Sequence, residues 1–333
     1  MWYDYAPVLS YGKAMFIFII GERGVGKTYG AKKWCINKFI KRQEQFIYLR
    51  RYKTELKESA GDTDKFFKAL YNEFPDHKFK ISGEKIICDG KTMGYALALS
   101  TSNILKSTSF DGVTTIIFDE FIIDKGCYHY LQNEVESMLE MVETVARLRN
   151  IRVIFLGNAI SITNPYFTYF DLSLPYGKDI KTFKDGLILV NYIKNEQYRK
   201  VKHESNFGKL ISGTNYSKYA IDNEFLRDSK AFIKKKSPTA KHYFSLKYKK
   251  RMFGFWLDHK TSMIYVSYDY DPNSPIIYTV DTDDHDEQTM LLALRTSGYF
   301  KSVINHYRMG LLCFESQQIK GLIMQIINNH LTY

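Results

Sequence analysis

The stretch Gly21-Glu22-Arg23-Gly24-Val25-Gly26-Lys27-Thr28 constrains the fold more than any other part of the chain. It follows an uninterrupted apolar run, Ala14 to Ile20, and precedes a lysine-rich segment, 27–42, with helical character. So apolar a run reads as a strand buried on both faces, as in a parallel sheet covered by helices. G-x-x-x-x-G-K-[ST] between such a strand and a helix is the pattern of a loop that wraps phosphates. Gly21, Gly24 and Gly26 let backbone N–H groups turn inward. The helix that starts there adds the positive end of its dipole. Lys27 is expected to reach the β- and γ-phosphates of ATP, and Thr28 to offer its hydroxyl to Mg²⁺. The expected cradle is Gly21, Glu22, Arg23, Gly24, Val25, Gly26, Lys27 and Thr28.

The rest of the N-terminal half keeps the same rhythm. Gln45 to Leu49 reads as a second strand, ending in the basic cluster Arg50-Arg51-Tyr52-Lys53. Residues 64–74 read as helix, and 78–100 as antiparallel strands with a hairpin turn at Asp89-Gly90. Residues 113–121 and 151–159 are buried strands around a helix at 133–149, whose apolar residues recur with helical period. Alternating helices and apolar strands predict an α/β domain with a mainly parallel sheet over residues 1–194. Residues 195–230 are polar and read as a short helical connector. Residues 231–333 predict a compact α+β domain, with strands across 241–281, helices near 284–297 and 315–329, and a short strand near Leu311 to Phe314.

A phosphate loop alone binds nucleotide; hydrolysis needs more. Thr115-Ile116-Ile117-Phe118-Asp119-Glu120 ends a buried strand in two carboxylates, the Walker B pattern. Asp119 is expected to hold Mg²⁺ together with Thr28, and Glu120 to polarise the attacking water. Asn158 ends the next strand and is a candidate γ-phosphate sensor, or an ordinary turn residue. Arg147, Arg149 and Arg152 cluster at a helix end, where cations also simply complement the dipole. One of them, Arg147 first, is a candidate for reaching a neighbouring subunit's site; Lys106 and Arg149 are the other candidates.

The 333 residues carry a net charge of +11, which suits an anionic partner. Eight basic residues face one acid between Lys32 and Lys53, and nine face none between Lys230 and Arg251. Lys53, with Arg50 and Arg51, is the candidate DNA contact, although Arg50 or Arg51 is also expected in structural pairs. Lys234, Lys235, Lys236, Lys249, Lys250 and Arg251 are candidates for RNA, or form a solubilising surface. Twenty-six tyrosines and 23 phenylalanines read first as core. The four cysteines form no C-x-x-C pair, so neither a zinc site nor a disulfide framework is suggested. The N-terminus lacks the features of a signal peptide, and the apolar run is too short to span a bilayer. A cytoplasmic protein with no membrane partner is expected.

Together, GERGVGKTYG, INKFIKRQEQFIYLRRYK, EFPDHKF, TTIIFDEFI, NEVESML and GNAISITNPYF resemble, in order, the DNA-packaging ATPases of φ29-like bacteriophages. The resemblance weakens past Phe167 but persists in FGKLISGT and IDNEF. It implies an ASCE-type motor working as a homopentameric ring, driving double-stranded DNA into a procapsid. The ring would dock through a structural RNA and the portal in the host cytoplasm. It also implies an RNase H-like C-terminal domain without cutting activity, and Arg147 as the arginine acting in trans. Glu22 departs from the pattern, since an acid sits where a small residue would be unremarkable; it is expected to point outward. Two rival readings remain: a terminase-like ATPase that also cuts DNA, and a nucleotide-gated nucleic-acid-binding switch.

Overall fold

In the computed structural model the described residues are 2–102, 108–123, 129–158, 164–172, 174, 179–193, 195–214, 232–292 and 297–331. They divide into two compact units, Met1–Arg227 and Asp228–Tyr333. The first unit runs α1 (Ala6–Leu9), β1 (Phe16–Gly21), α2 (Lys27–Arg42), β2 (Gln45–Arg50), α3 (Lys53–Ala60), α4 (Thr63–Phe67), β3 (Phe79–Ser82), β4 (Lys85–Cys88) and β5 (Lys91–Ala98). It continues with β6 (Val113–Asp119), α5 (Glu134–Ala146), β7 (Arg152–Asn158), α6 (Pro165–Phe170), β8 (Ile180–Phe183), β9 (Ile188–Tyr192), α7 (Glu196–Glu204) and α8 (Asn206–Ile211).

β1 is buried at all six positions because both sheet faces are covered. Phe16, Phe18 and Ile20 face a core shared with α5 and α6, while Ile17 and Ile19 face one shared with α2 and α4. The first core is aromatic: Phe18 stacks on Phe155 at 4.3 Å and meets Phe121 edge-on at 5.4 Å. Burying each such ring contributes roughly 1.5–3 kcal/mol.

Among the described residues the sheet has nine strands, in the order β3-β4-β5-β2-β6-β7-β1-β9-β8. The middle six, β5 to β9 in that order, run parallel, and the pairs at each edge are antiparallel. β7 thus lies between the strand that feeds the phosphate loop and the strand that ends in the two acids. Asp89 and Gly90 both take left-handed backbone in the β4–β5 turn, as a two-residue hairpin needs.

The second unit contains β10 (Lys241–Tyr248), β11 (Arg251–Asp258), β12 (Met263–Ser267), β13 (Ile277–Thr279), β14 (Met290–Leu291), α9 (Gly298–Arg308), β15 (Leu312–Phe314) and α10 (Gln317–Leu331). Its sheet order is β14-β13-β10-β11-β12-β15. Phe244, Phe253 and Phe255 from the sheet pack with Phe300, Val303, Ile319 and Ile323 from the helices.

Several local expectations are corrected. Past a 3-10 turn at Thr282–Asp284, no helix occupies the described part of 284–297. Asp284 accepts from Lys250 N, Asp286 accepts from Gln288 N, and Thr289 receives Asp286 N, so these polar groups hold turns instead. The helix lies later, at α9. Past β2 the basic cluster runs into a helix: Lys53 opens α3, with Glu55 receiving Tyr52 N. The expected helix at 64–74 is α4 followed by a short 3-10 turn at Tyr71–Glu73. Among the described residues no helix is long and apolar enough to cross a membrane.

Candidate active site

The sheet assembles the site along one edge. Gly21 pairs with Asn158 across β1–β7, and Asp119 pairs with Leu156 across β6–β7. The phosphate loop leaves β1 and turns into α2 through Gly24 (φ +92) and Gly26 (φ +86), a conformation that favours glycine. Arg23, Gly24, Gly26, Lys27, Thr28, Tyr29, Asp119, Glu120, Leu156, Gly157 and Asn158 line one open cleft.

Lys27 is buried and folds back over the loop. Its Nζ donates to Glu22 O (2.7 Å), Asn158 Oδ1 (3.1 Å) and Gly21 O (3.2 Å). Burial pushes its pKa down to about 8, with Asp119 and Glu22 opposing the shift. The ammonium is thus held by neutral carbonyls, and among the described residues it makes no ion pair. Thr28 Oγ1 donates to Asp119 Oδ1 at 3.0 Å, and Tyr48 OH donates to Asp119 Oδ2 at 2.9 Å. Two hard oxygens beside the cleft, one of them anionic, are a fitting donor set for Mg²⁺.

Glu120 stands just past β6 with φ +57 and an exposed side chain. Arg50 Nη2 holds its Oε2 at 2.7 Å. Arg50 also lies 3.7 Å from Glu55 and 3.9 Å from Asp119. Arg51 is more enclosed, at 1% exposure. Its Nε and Nη2 grip Glu134 at 2.6 and 2.9 Å, and Nη2 also donates to Phe121 O at 2.7 Å. The expectation of DNA contacts from Arg50 and Arg51 is therefore corrected: both guanidinium groups are committed to acids inside the unit. Lys53 remains exposed at the start of α3.

Glu22 does not point outward. It is buried, and Arg199 Nε on α7 donates to its Oε1 at 2.5 Å. Burial raises its pKa, against the pull of Arg199. Tyr198 OH and Lys202 Nζ donate to Arg23 O at 3.0 and 3.4 Å. The first helix of the expected connector is therefore strapped onto the phosphate loop.

Arg149 donates to four backbone carbonyls, of Phe110, Asp111, Val113 and Val145. Arg152 donates to the carbonyls of Leu9, Tyr11 and Ala14. Both hold loops together, which corrects Arg149 as a trans candidate. Arg147 caps α5 with φ +50 and ψ −109, is exposed, and has no side-chain partner among the described residues. Lys106 lies outside the described residues. In the second unit Lys234 and Lys235 are exposed, while Lys236 pairs with Asp269 and lies 3.4 Å over the Trp256 ring. Lys249 and Lys250 form the β10–β11 turn, both at positive φ, and Arg251 donates to Tyr268 OH.

Tyr48, Arg199 and Tyr198 were not among the expected site residues. Tyr48 reads as one more apolar strand position, and nothing near 198 marks it as a neighbour of residue 23. Only the odd acid at Glu22 hinted that a cation must come from elsewhere.

The model of the podovirus DNA encapsidation protein (Gp16) matches residues 1–331. The DNA packaging protein of Bacillus phage B103 is 39% identical over 317 residues, 95% of this chain and 97% of that one. That of Bacillus phage phi29 is 36% identical over 328 residues, 98% and 97% of the two chains. A solved structure of the bacteriophage Phi-29 viral genome packaging motor assembly superposes with a TM-score of 0.79 at 35% identity, covering 98% of each chain. The crystal structure of the N-terminal domain of the phi29 DNA packaging ATPase, 40% identical, gives 0.54 over 59% of this chain and 98% of that one. On the matched length and these identities, the chain belongs to the podovirus DNA encapsidation protein (Gp16) family.

Proposed function

We propose that this chain is an Mg²⁺-dependent ATPase that drives double-stranded DNA into a viral procapsid. In this reading it works in the host cytoplasm as a homopentameric ring, docked to the portal through a structural RNA. The observation that carries the reading is the convergence of Lys27, Thr28, Asp119, Glu120 and Asn158 on one cleft, in a chain of the encapsidation family.

The residues divide the work. Lys27, desolvated and held by carbonyls, gains from phosphate oxygens entering the loop. Tyr48 occupies one oxygen of Asp119 and leaves the other toward Thr28, where a metal would sit. Mg²⁺, when bound there, neutralises charge on the β- and γ-oxygens. Arg50 neutralises Glu120 and holds it aside; freed from Arg50, Glu120 takes the proton of the attacking water. Arg147, exposed and without a side-chain partner among the described residues, supplies positive charge to the next subunit's cleft, a contribution worth ~10³–10⁵ in rate.

DNA is gripped by its phosphates, because a packaging motor passes any sequence. Lys53 serves here: it stands exposed in the first turn of α3, open to a phosphate. The second unit's strand order β12-β11-β10-β13-β14, antiparallel through β10 and parallel beyond, supports an RNase H-like reading. Its basic turn at Lys249 and Lys250, with Lys234 and Lys235, is the RNA-facing surface in this reading.

The test is steady-state ATP turnover of the full chain with and without double-stranded DNA, for wild type and Glu120→Gln. Stimulation by DNA, abolished by the substitution, supports the motor. Unstimulated slow turnover favours a nucleotide-gated switch, and plasmid cleavage with Mg²⁺ or Mn²⁺ favours an enzyme that also cuts.

A further inference from the structure

We infer that Trp2 and Tyr29 form the base subsite of the nucleotide cleft, a stacking platform for a purine. The inference rests on the ATP reading above and adds residues to the same site.

Trp2 is fastened but not buried. The N-terminal segment is tied to the phosphate loop by Tyr3 N to Val25 O (2.9 Å) and by Tyr5 OH to Lys27 O. Tyr3 OH adds a third tie, to Asn191 Oδ1 at 2.8 Å. These contacts lay the Trp2 ring directly on Gly26: a Cβ built there would lie 2.7 Å from Trp2 Cε3. Yet Trp2 keeps 69% of its surface exposed. A large aromatic laid on the phosphate loop by the hydrogen bonds of its neighbours Tyr3 and Tyr5, with its ring open to solvent, is suited to receive a flat apolar partner.

Tyr29 is the second wall. It follows Thr28 on α2 and lines the cleft. Its ring centre lies 6.0 Å from that of Trp2, tilted by 36°. Its hydroxyl is engaged by Glu73, which Lys33 pairs at 2.6 Å. The ring is therefore fixed, and its hydroxyl is taken.

Position along the cleft identifies the ligand part. Lys27, Glu120 and Asn158 mark the end that receives the terminal phosphate. The loop cradles the phosphates nearer the sugar with its own N–H groups. The nucleoside leaves from the opposite end, past Gly26 and Tyr29. What it meets there is two aromatic faces, so recognition is by stacking and not by base-edge hydrogen bonds.

The experiment compares ATP with tripolyphosphate, which carries the phosphates and no base. Binding of each to the full chain is measured by calorimetry for wild type, Trp2→Ala and Trp2→Phe. Stacking of this kind corresponds to roughly a ten- to hundredfold change in Kd. Trp2→Ala is expected to weaken ATP by that factor and to leave tripolyphosphate unchanged, and Trp2→Phe to recover most of the loss. Three results overturn the inference: unchanged ATP affinity, equal weakening of both ligands (a ring that merely props the loop), or tighter ATP binding (a ring that occupies the nucleoside's place). Failure of the nucleotide reading itself looks different, because the wild-type chain would then bind neither ligand.

Discussion

Replacing Arg51 by alanine should destabilise the first unit severely, and its effect on DNA binding should follow from that. Arg51 and Glu134 form a two-pronged pair at 2.6 and 2.9 Å, with side-chain exposures of 1% and 0%. Arg51 also donates to Phe121 O and Glu120 O, and lies 4.9 Å from the Tyr130 ring centre. Alanine leaves the Glu134 carboxylate in the core without its guanidinium, Leu131 N still donating to it. Removing one partner of a buried pair costs about 3–5 kcal/mol. A domain stability is itself only about 5–15 kcal/mol. For a unit of 227 residues each kcal/mol lowers Tm by roughly 2–4 °C, so the expected drop is roughly 6–20 °C. Exchanging both partners for apolar residues, Arg51→Met with Glu134→Leu, should recover most of the loss, since no charge is then stranded. The assay is thermal unfolding by circular dichroism, run beside DNA binding across a salt series. Lys53→Ala is the contrast, with unchanged Tm but a salt slope lower by about one unit. If Arg51→Ala melts within a degree or two of wild type while losing DNA affinity, the buried-pair reasoning is wrong.

Glu120→Gln should bind ATP nearly as wild type and lose turnover, and wild-type hydrolysis by this variant would remove Glu120 as the base. Arg147→Ala should hydrolyse poorly alone but regain activity when mixed with Glu120→Gln, because some interfaces then pair an intact base with an intact arginine. No recovery in confirmed mixed rings would sink the trans role. Lys32 lies 3.7 Å from the Phe66 ring centre, and burial pushes its pKa from 10.5 to about 8. The folded state thus releases this proton before the unfolded chain does, so stability rises between about pH 8 and 10.5. Lys27 titrates in the same window, so Lys32→Met should reduce that rise without abolishing it and add roughly 1–3 kcal/mol at pH 7, and urea titrations that run parallel to wild type across this window would refute it. Lys249 and Lys250 hold left-handed backbone where Asn-Gly is favoured. Lys249→Asn with Lys250→Gly should stabilise the second unit by about 1–2 kcal/mol and weaken RNA binding, and unchanged RNA affinity would remove the turn from the nucleic-acid surface.

The parts most legible in the sequence were those whose chemistry is local. The glycines of the loop, the apolar runs of β1, β6 and β7, and the acids at the end of β6 declare themselves by pattern. What stayed hidden depends on contacts across long separations. Arg50 and Arg51 read as an exposed basic cluster because the acids that neutralise them, Glu120 and Glu134, lie about 70 and 80 residues away. Glu22 reads as an outward acid because its partner Arg199 is 177 residues distant. The segment 284–297 misled for a different reason: Asp284 and Asp286 suit a helix start and a turn equally well, and the backbone groups of Lys250 and Gln288 chose the turn.

The placement of β7 between β1 and β6 has a consequence for how the chemistry is kept accurate. Neighbouring strands lie about 4.8 Å apart, and residues along them about 3.3 Å. The loop that begins at Gly21, Asn158 and Asp119 are thus spaced by a lattice of backbone hydrogen bonds, like marks on a ruler. A slip of one residue in β7 would carry Asn158 a full step and turn it to the opposite face. Errors in these positions are consequently discrete: the arrangement exists whole or is lost. Glu120 alone stands off the ruler, one residue beyond the last rung and tied by a single ion pair. Evolution can adjust the timing of the reaction by changing how Glu120 is held, without touching the accuracy with which the phosphates are measured.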